Sequence, residues 1–121
     1  MSYKILIAED NYINQRLMEK LILSKGWECV LVADGSEVLK EIEKGNFDMV
    51  LMDVSMPDMD GYTATKILRK FNNTLPIIAI TANAIEGFRE KCLQSGMNDY
   101  IAKPFRKEEL FTMMEKYLPV K

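Results

Sequence analysis

Apolar residues come along this chain in short runs, and each run closes on polar or turn-forming residues. Tyr3 to Ala8 (YKILIA) reads as a strand ending on Glu9-Asp10. Asn11 can cap a helix in which Ile13, Leu17, Lys20-Leu21 and Ser24 recur at helical spacing up to Gly26, a C-terminal stop. Cys29 to Ala33 (CVLVA) is the second strand, Asp34-Gly35-Ser36 a turn and cap, and Val38, Leu39 and Ile42 mark a short helix ending at Gly45. The third strand starts at Phe47 or Asp48 and runs to Met52. Its four successive apolar residues, Met49 to Met52, fit a strand buried on both faces, as in a parallel sheet covered by helices. Tyr62, Thr65-Lys66 and Leu68-Arg69 predict a helix that Asn72-Asn73 closes. Pro76 opens a fourth strand, Ile77 to Ile80, which ends on Thr81-Ala82. A helix from Ala84 to Ser95 is stopped by Gly96. Asp99 to Ala102 (DYIA) is the fifth strand, ending on Lys103-Pro104-Phe105, and a last helix covers Lys107 to Tyr117. Strands and helices alternate throughout, with no repeat or linker, which predicts an α/β fold: a doubly wound (βα)5 sandwich with right-handed crossovers around a five-stranded parallel sheet.

Composition narrows the class. The chain has 121 residues, 48% hydrophobic and 28% charged, which suits one globular domain over residues 1–121. A net charge of −2 favours neither nucleic acid nor an anionic membrane surface as a direct partner. No apolar run approaches the ~20 residues of a membrane span, and Met1-Ser2-Tyr3-Lys4 does not begin a signal peptide. Cys29 and Cys92 have neither metal nor redox spacing and read as reduced thiols, so a cytoplasmic setting is expected. The chain contains no histidine. That excludes serine–histidine and cysteine–histidine nucleophile pairs, a histidine base and histidine metal ligands. The chemistry left must use carboxylates, lysines, hydroxyls and backbone.

In an open parallel sheet, ligands bind beyond the carboxyl ends of the strands, at the point where strand order reverses. Strands 1 and 3 end on carboxylates here, strand 4 on a hydroxyl and strand 5 on a lysine. In a 2-1-3-4-5 order, strands 1 and 3 lie ~4.8 Å apart, which brings Glu9 and Asp10 within metal-bridging reach of Asp53. Carboxylates that close repel one another, and a hard divalent cation relieves the conflict. An all-oxygen, partly open cluster suits Mg²⁺, with a backbone carbonyl just after Asp53, that of Ser55, completing the protein ligands. Beside such a metal, Lys103 would neutralise a phosphoryl group, Thr81 would hydrogen-bond it, Ala82 would leave room for it, and Asp53 would attack in line.

These pieces resemble a known family. Glu9-Asp10, Asp53 within DVSMPDMDG, Thr81-Ala82 and Lys103-Pro104, in this order over the whole chain, look like the receiver domain of two-component response regulators, whose fold is flavodoxin-like. The stretches PIIAITANA and GMNDYIAKPF look most like receivers of hybrid sensor histidine kinases. The resemblance implies that Asp53 is the phosphoacceptor, that Glu9, Asp10 and Asp53 hold Mg²⁺, and that Thr81 and Lys103 bind the phosphoryl group. It implies that Tyr100 is an aromatic switch residue coupled to Thr81, and that the Lys103–Pro104 bond is cis, aiming the lysine into the site. It also implies a phosphorylation-controlled signalling switch. A histidine kinase or histidine phosphotransfer domain would supply the phosphohistidine, and helix 4, strand 5 and helix 5 would form the face that binds a downstream protein. The domain would catalyse its own phosphorylation and hydrolysis and act on no separate small substrate. The donor bundle would dock on helix 1 and the loop after strand 5, with Ile13, Asn14, Leu17, Pro104 and Phe105 as the contact patch, although Leu17 could instead be wholly core.

Plainer readings stand beside these. An acidic pair at a helix start is ordinary, Asp58 and Asp60 read as turn and cap residues, Met56 and Met59 as loop packing, and Trp27 as packing at the opposite edge of the sheet. A phosphohydrolase or phosphotransferase with an aspartate nucleophile would want a second acid two residues after Asp53, where Ser55 stands. A flavin-binding module would want a hydroxyl- and glycine-rich phosphate loop where this chain has Glu9-Asp10-Asn11. A receiver working as a docking module without phosphorylation would not need the full acidic set.

Overall fold

The computed structural model describes residues 2–72, 74–82 and 84–120. Five strands, β1 (Lys4–Ala8), β2 (Glu28–Val32), β3 (Met49–Asp53), β4 (Ile77–Thr81) and β5 (Asp99–Ala102), alternate with α1 (Tyr12–Ser24), α2 (Gly35–Lys44), α3 (Gly61–Leu68), α4 (Phe88–Ser95) and α5 (Lys107–Tyr117). The strands form one sheet in the order β2-β1-β3-β4-β5, every pair parallel. This is the doubly wound architecture that the sequence pattern predicts. No helix among the described residues is long and apolar enough to cross a membrane.

Two cores explain the continuous apolar runs. Leu6, Ala8, Val50, Met52, Ile77 and Ala79 pack under α2, α3 and α4, with Val38, Ala64, Leu68, Phe88 and Cys92. The alternate positions Ile5, Ile7, Met49, Leu51, Ile78 and Ile80 pack under α1 and α5, with Met18, Ile22, Leu110 and Met114. Side chains alternate across a strand, so a strand covered on both faces must be apolar at every position. Trp27 lies in the second core, against the rings of Tyr3 at 5.3 Å and Phe111 at 6.1 Å. Tyr3 and Trp27 immediately precede β1 and β2, so they sit at the amino edge of the sheet, as expected.

The structure decides one open alternative and corrects two helix boundaries. Leu17 is not core: it is 57% exposed, and Met18 and Ile22 are the residues α1 buries. The helix carries two apolar stripes, and spacing alone does not say which one meets the sheet. Nor does α4 start at Ala84; it begins at Phe88, after Gly87 at φ 85°. A left-handed residue cannot continue a right-handed helix. The helix expected to close at Asn72-Asn73 ends at Leu68; Asn73 lies outside the described residues. The side-chain oxygen of Asn72 accepts from the N–H groups of Thr74 and Leu75, organising the turn into β4. Other differences are shifts of one or two residues at strand ends and the start of α2 at Gly35, within the expected turn.

The loop between β3 and α3 is pinned from two sides. Asp60 caps α3 by accepting from the Thr63 N–H at 2.8 Å. The Gly35 N–H, at the start of α2, donates to the Met59 carbonyl at 3.0 Å. A Cβ on Gly35 would meet that carbonyl oxygen at 2.7 Å and the Met59 side chain at 2.9 Å. Gly35→Ala should therefore destabilise the domain by about 1–3 kcal/mol, the range for overpacking a tight contact. The expected signature is a lower urea midpoint at unchanged slope; a midpoint equal to wild type would show that the loop yields freely.

Candidate functional site

The carboxyl edge of the sheet gathers the charged residues. The Glu9 N–H still donates to the Val32 carbonyl at 3.0 Å, so the residue following β1 is held in sheet register. Its side chain turns inward and Glu9 is only 4% exposed. Oε1 accepts from Lys103 Nζ at 2.8 Å and Oε2 from the Asn11 N–H at 3.1 Å. Gln15, one turn into α1, donates its amide to the Glu9 carbonyl at 2.6 Å and straps the turn down. Asp53 closes β3 in register with Ile80. Its Oδ1 accepts from the Ser55 N–H at 2.9 Å, and its Oδ2 stands 4.0 Å from Lys103 Nζ. One carboxylate oxygen from each of Glu9, Asp10 and Asp53 falls within 4.8 Å of the others.

Lys103 arrives from β5. Its N–H donates to the Thr81 carbonyl at 2.7 Å, joining the ends of β4 and β5. The Lys103–Pro104 bond is cis. Thr81 is buried, while Ala82 and Ser55 are exposed beside the crevice. A Cβ on Gly61 would meet the Asp53 carbonyl at 2.7 Å, so the start of α3 approaches the strand end as closely as backbone allows. Tyr100 is half-buried and stands edge-on to Phe88 at 5.1 Å, which in turn meets Tyr62 at 6.4 Å. The ring neighbour Phe88 and the strap Gln15 carry no spacing signal in the sequence, and Tyr62 enters it only as a helix position.

Of the five expected docking residues, Asn14, Leu17, Pro104 and Phe105 line one groove of about 450 Å³ between α1 and the β5–α5 loop. Ile13 stands outside its lining and is 68% exposed. Lys20, Leu21 and Lys107, which the sequence reading does not place in the docking patch, join the lining.

Electrostatics makes the crevice unequal. Burial pushes the Asp53 carboxyl up to about 6, the Glu9 charge adds to the rise, and the Ser55 N–H and Lys103 oppose it. Burial also raises Glu9, but the hydrogen bonds from Lys103 and the Asn11 N–H outweigh it and hold that carboxyl below its ordinary range. A carboxyl raised in the folded state contributes stability that is full below its unfolded pKa and lost as pH rises through the folded one. For Asp53 the loss runs from about 4 to about 6; Glu9, lowered, acts oppositely and is lost on acidification. In the absence of divalent cations, Asp53→Asn should therefore be more stable than wild type by about 2–3 kcal/mol near pH 8, a gap that shrinks toward pH 4. Thermal melts in chelator test this, and a variant less stable at both pH values would mean the charge is structural.

Comparison with known proteins agrees with this geometry. Residues 5–115 match the response regulator receiver domain family. The chain is 40% identical over 96% of its length to the transcription factor SKN7 of Saccharomyces cerevisiae, covering 19% of that protein. It is 42% identical over 83% of its length to the sensor histidine kinase RcsC of Escherichia coli, covering 10% of it. It thus spans a fifth or less of either relative. The receiver domain of a sensor histidine kinase from Pseudomonas aeruginosa PAO1, a crystal structure with magnesium coordinated in its active site cleft, superposes with a TM-score of 0.90. That pair shares 44% identity, covering 97% of this chain and 98% of the other. On fold, matched residues and this likeness, the chain belongs to the response regulator receiver domain family.

Proposed function

We propose that the domain is a phosphorylation-controlled switch with Asp53 as its phosphoacceptor. The observation that carries this is the position of Asp53 at the end of a doubly buried strand, with two further carboxylates and Lys103 converging on it. An Asp53 carboxylate oxygen attacks the phosphorus of a phosphohistidine; the P–N bond breaks and its electron pair stays on the imidazole. The chain has no histidine, so the donor is a histidine kinase or histidine phosphotransfer domain. The domain catalyses its own phosphorylation and hydrolysis, and the cytoplasm, where thiols such as Cys29 and Cys92 stay reduced, is its setting.

The donor set fits Mg²⁺: hard oxygen atoms, mutually repelling, and open to water on the Asp10 side. Glu9, Asp10 and Asp53 would hold it, with the Ser55 carbonyl. Bound there, it supplies positive charge against the phosphoryl oxygens. Lys103 adds a second positive charge, Thr81 a hydroxyl, and Ala82 bears no side chain large enough to obstruct the group.

Signal output follows from Thr81 and Tyr100, which sit on neighbouring strands whose ends lead into the α4–β5–α5 face. Tyr100, held against Phe88 at the start of α4, couples the phosphorylated site to a downstream partner on that face. The donor bundle docks on Asn14, Leu17, Pro104 and Phe105, with Ile13 extending the contact along α1.

Acetyl phosphate should label the domain only with Mg²⁺ present, and Asp53→Asn should abolish labelling. A stoichiometric phosphoprotein from that variant would sink the assignment. Leu17→Asp should slow transfer from a phosphorylated histidine phosphotransfer domain about tenfold or more, while acetyl phosphate labels it at nearly the wild-type rate. Equal losses in both assays would make Leu17 a folding residue, and no loss in either would move the docking site elsewhere.

A further inference from the structure

Beside the acidic crevice, the groove between α1 and the start of α5 carries the opposite charge. Its floor is apolar, formed chiefly by Leu17, Leu21, Pro104 and Phe105, and its ionisable lining residues are all lysines. Lys103 is bonded to Glu9. Lys20 and Lys107 are exposed and enter none of the ion pairs among the described residues. In a chain of net charge −2, this apolar groove thus has two unpaired cations in its lining and no carboxylate there, the acidic residues lying beyond it at the crevice and at Glu108. Lys107 stands in the first turn of α5, where a cation opposes the helix macrodipole. Glu108 and Glu109 share that turn and favour the dipole, but neither forms an ion pair with Lys107.

We infer that this groove selects its donor by charge. It accepts an amphipathic helix whose apolar ridge is flanked by carboxylates, and Lys20 and Lys107 read that flank. The ridge covers the apolar floor and supplies contact area. The two ammonium groups then face carboxylates at a rim that docking partly desolvates, and a basic flank is rejected by like-charge repulsion. A second copy of the chain is a poor occupant, because its own α1 ridge is flanked by Lys20 and by Arg16, whose partner Glu19 leaves no carboxylate free there. The inference rests on the phosphotransfer reading above, since Lys103 belongs to both groove and crevice. It concerns which helix is admitted, and not whether Asp53 reacts.

Two helical peptides of roughly 20 residues, long enough to be helical in water, test it. They share one leucine ridge, flanked by glutamate in the first and by lysine in the second. Each is titrated into the isotope-labelled full chain. The glutamate peptide should shift the backbone resonances of Leu17, Leu21 and Phe105, bind about tenfold or more tightly than the lysine peptide, and weaken as salt is raised. Lys20→Glu with Lys107→Glu should reverse the preference, and Lys20→Gln with Lys107→Gln should erase it, with circular dichroism reporting an intact fold in both. Equal affinities, shifts away from the groove, or a preference that survives the double variants overturns the inference. So does binding of neither peptide together with self-association through these residues, which would assign the groove to a second copy. Acetyl phosphate labelling of the wild type is a separate measurement: labelling with equal peptide affinities overturns only charge selection, and selective binding without labelling overturns only the phosphoacceptor reading.

Discussion

Double burial of β3 is the constraint on which the site depends. Met49 and Leu51 lock into the core under α1 and α5, Val50 and Met52 into the core under α2, α3 and α4, and all four are fully buried. The strand has no freedom to slide, since a one-residue slip would exchange the two faces and misfit both cores. Asp53 follows directly and inherits that rigidity. Its neighbours are fixed the same way: Ala8 pairs with Met52 on one side, and Asp53 itself with Ile80 on the other. The carboxylates are close because the backbone makes them so, and not because they attract.

That imposed proximity sets the chemistry. Three acidic residues share an edge with a single lysine, and the lysine satisfies Glu9 at 2.8 Å while standing 4.0 Å from Asp53. The asymmetry leaves Glu9 firmly ionised and Asp53 under-compensated. A group in that condition favours whatever brings positive charge to it, a proton at low pH or a hard cation at neutral pH. The fold carries this repulsion as a standing cost, which a purely structural edge would have no reason to retain.

Most of the architecture was legible in the sequence because parallel strands covered on both faces write themselves as unbroken apolar runs, and because Gly26, Gly45 and Gly96 stop helices in plain view. The candidate site was legible for a related reason: Glu9-Asp10, Asp53, Thr81 and Lys103 each end such a run, so finding the strands finds the residues that meet at this edge. What stayed hidden depends on side-chain packing across elements. The ring contact between Tyr100 and Phe88 joins β5 to α4 and has no periodic trace. The late start of α4 hinges on the handedness of one glycine within an otherwise helix-compatible stretch.

The face of α1 is the most instructive case. Periodicity finds Ile13, Leu17 and Leu21 as one stripe; Met18 and Ile22 make a second, and either could cover a sheet. The structure buries Met18 and Ile22 and leaves Leu17 lining the rim of the active edge. An apolar stripe that the core does not claim remains available for contact with another molecule. On α1 it lies next to the acidic cluster, since Asn11, which caps this helix, also donates its N–H to Glu9. One helix therefore anchors the sheet with one stripe, positions a carboxylate with its first residues, and offers its second stripe outward. On the proposed reading, docking and chemistry would share a rigid body, and a partner held on α1 would have its reactive group placed with the precision of the sheet itself.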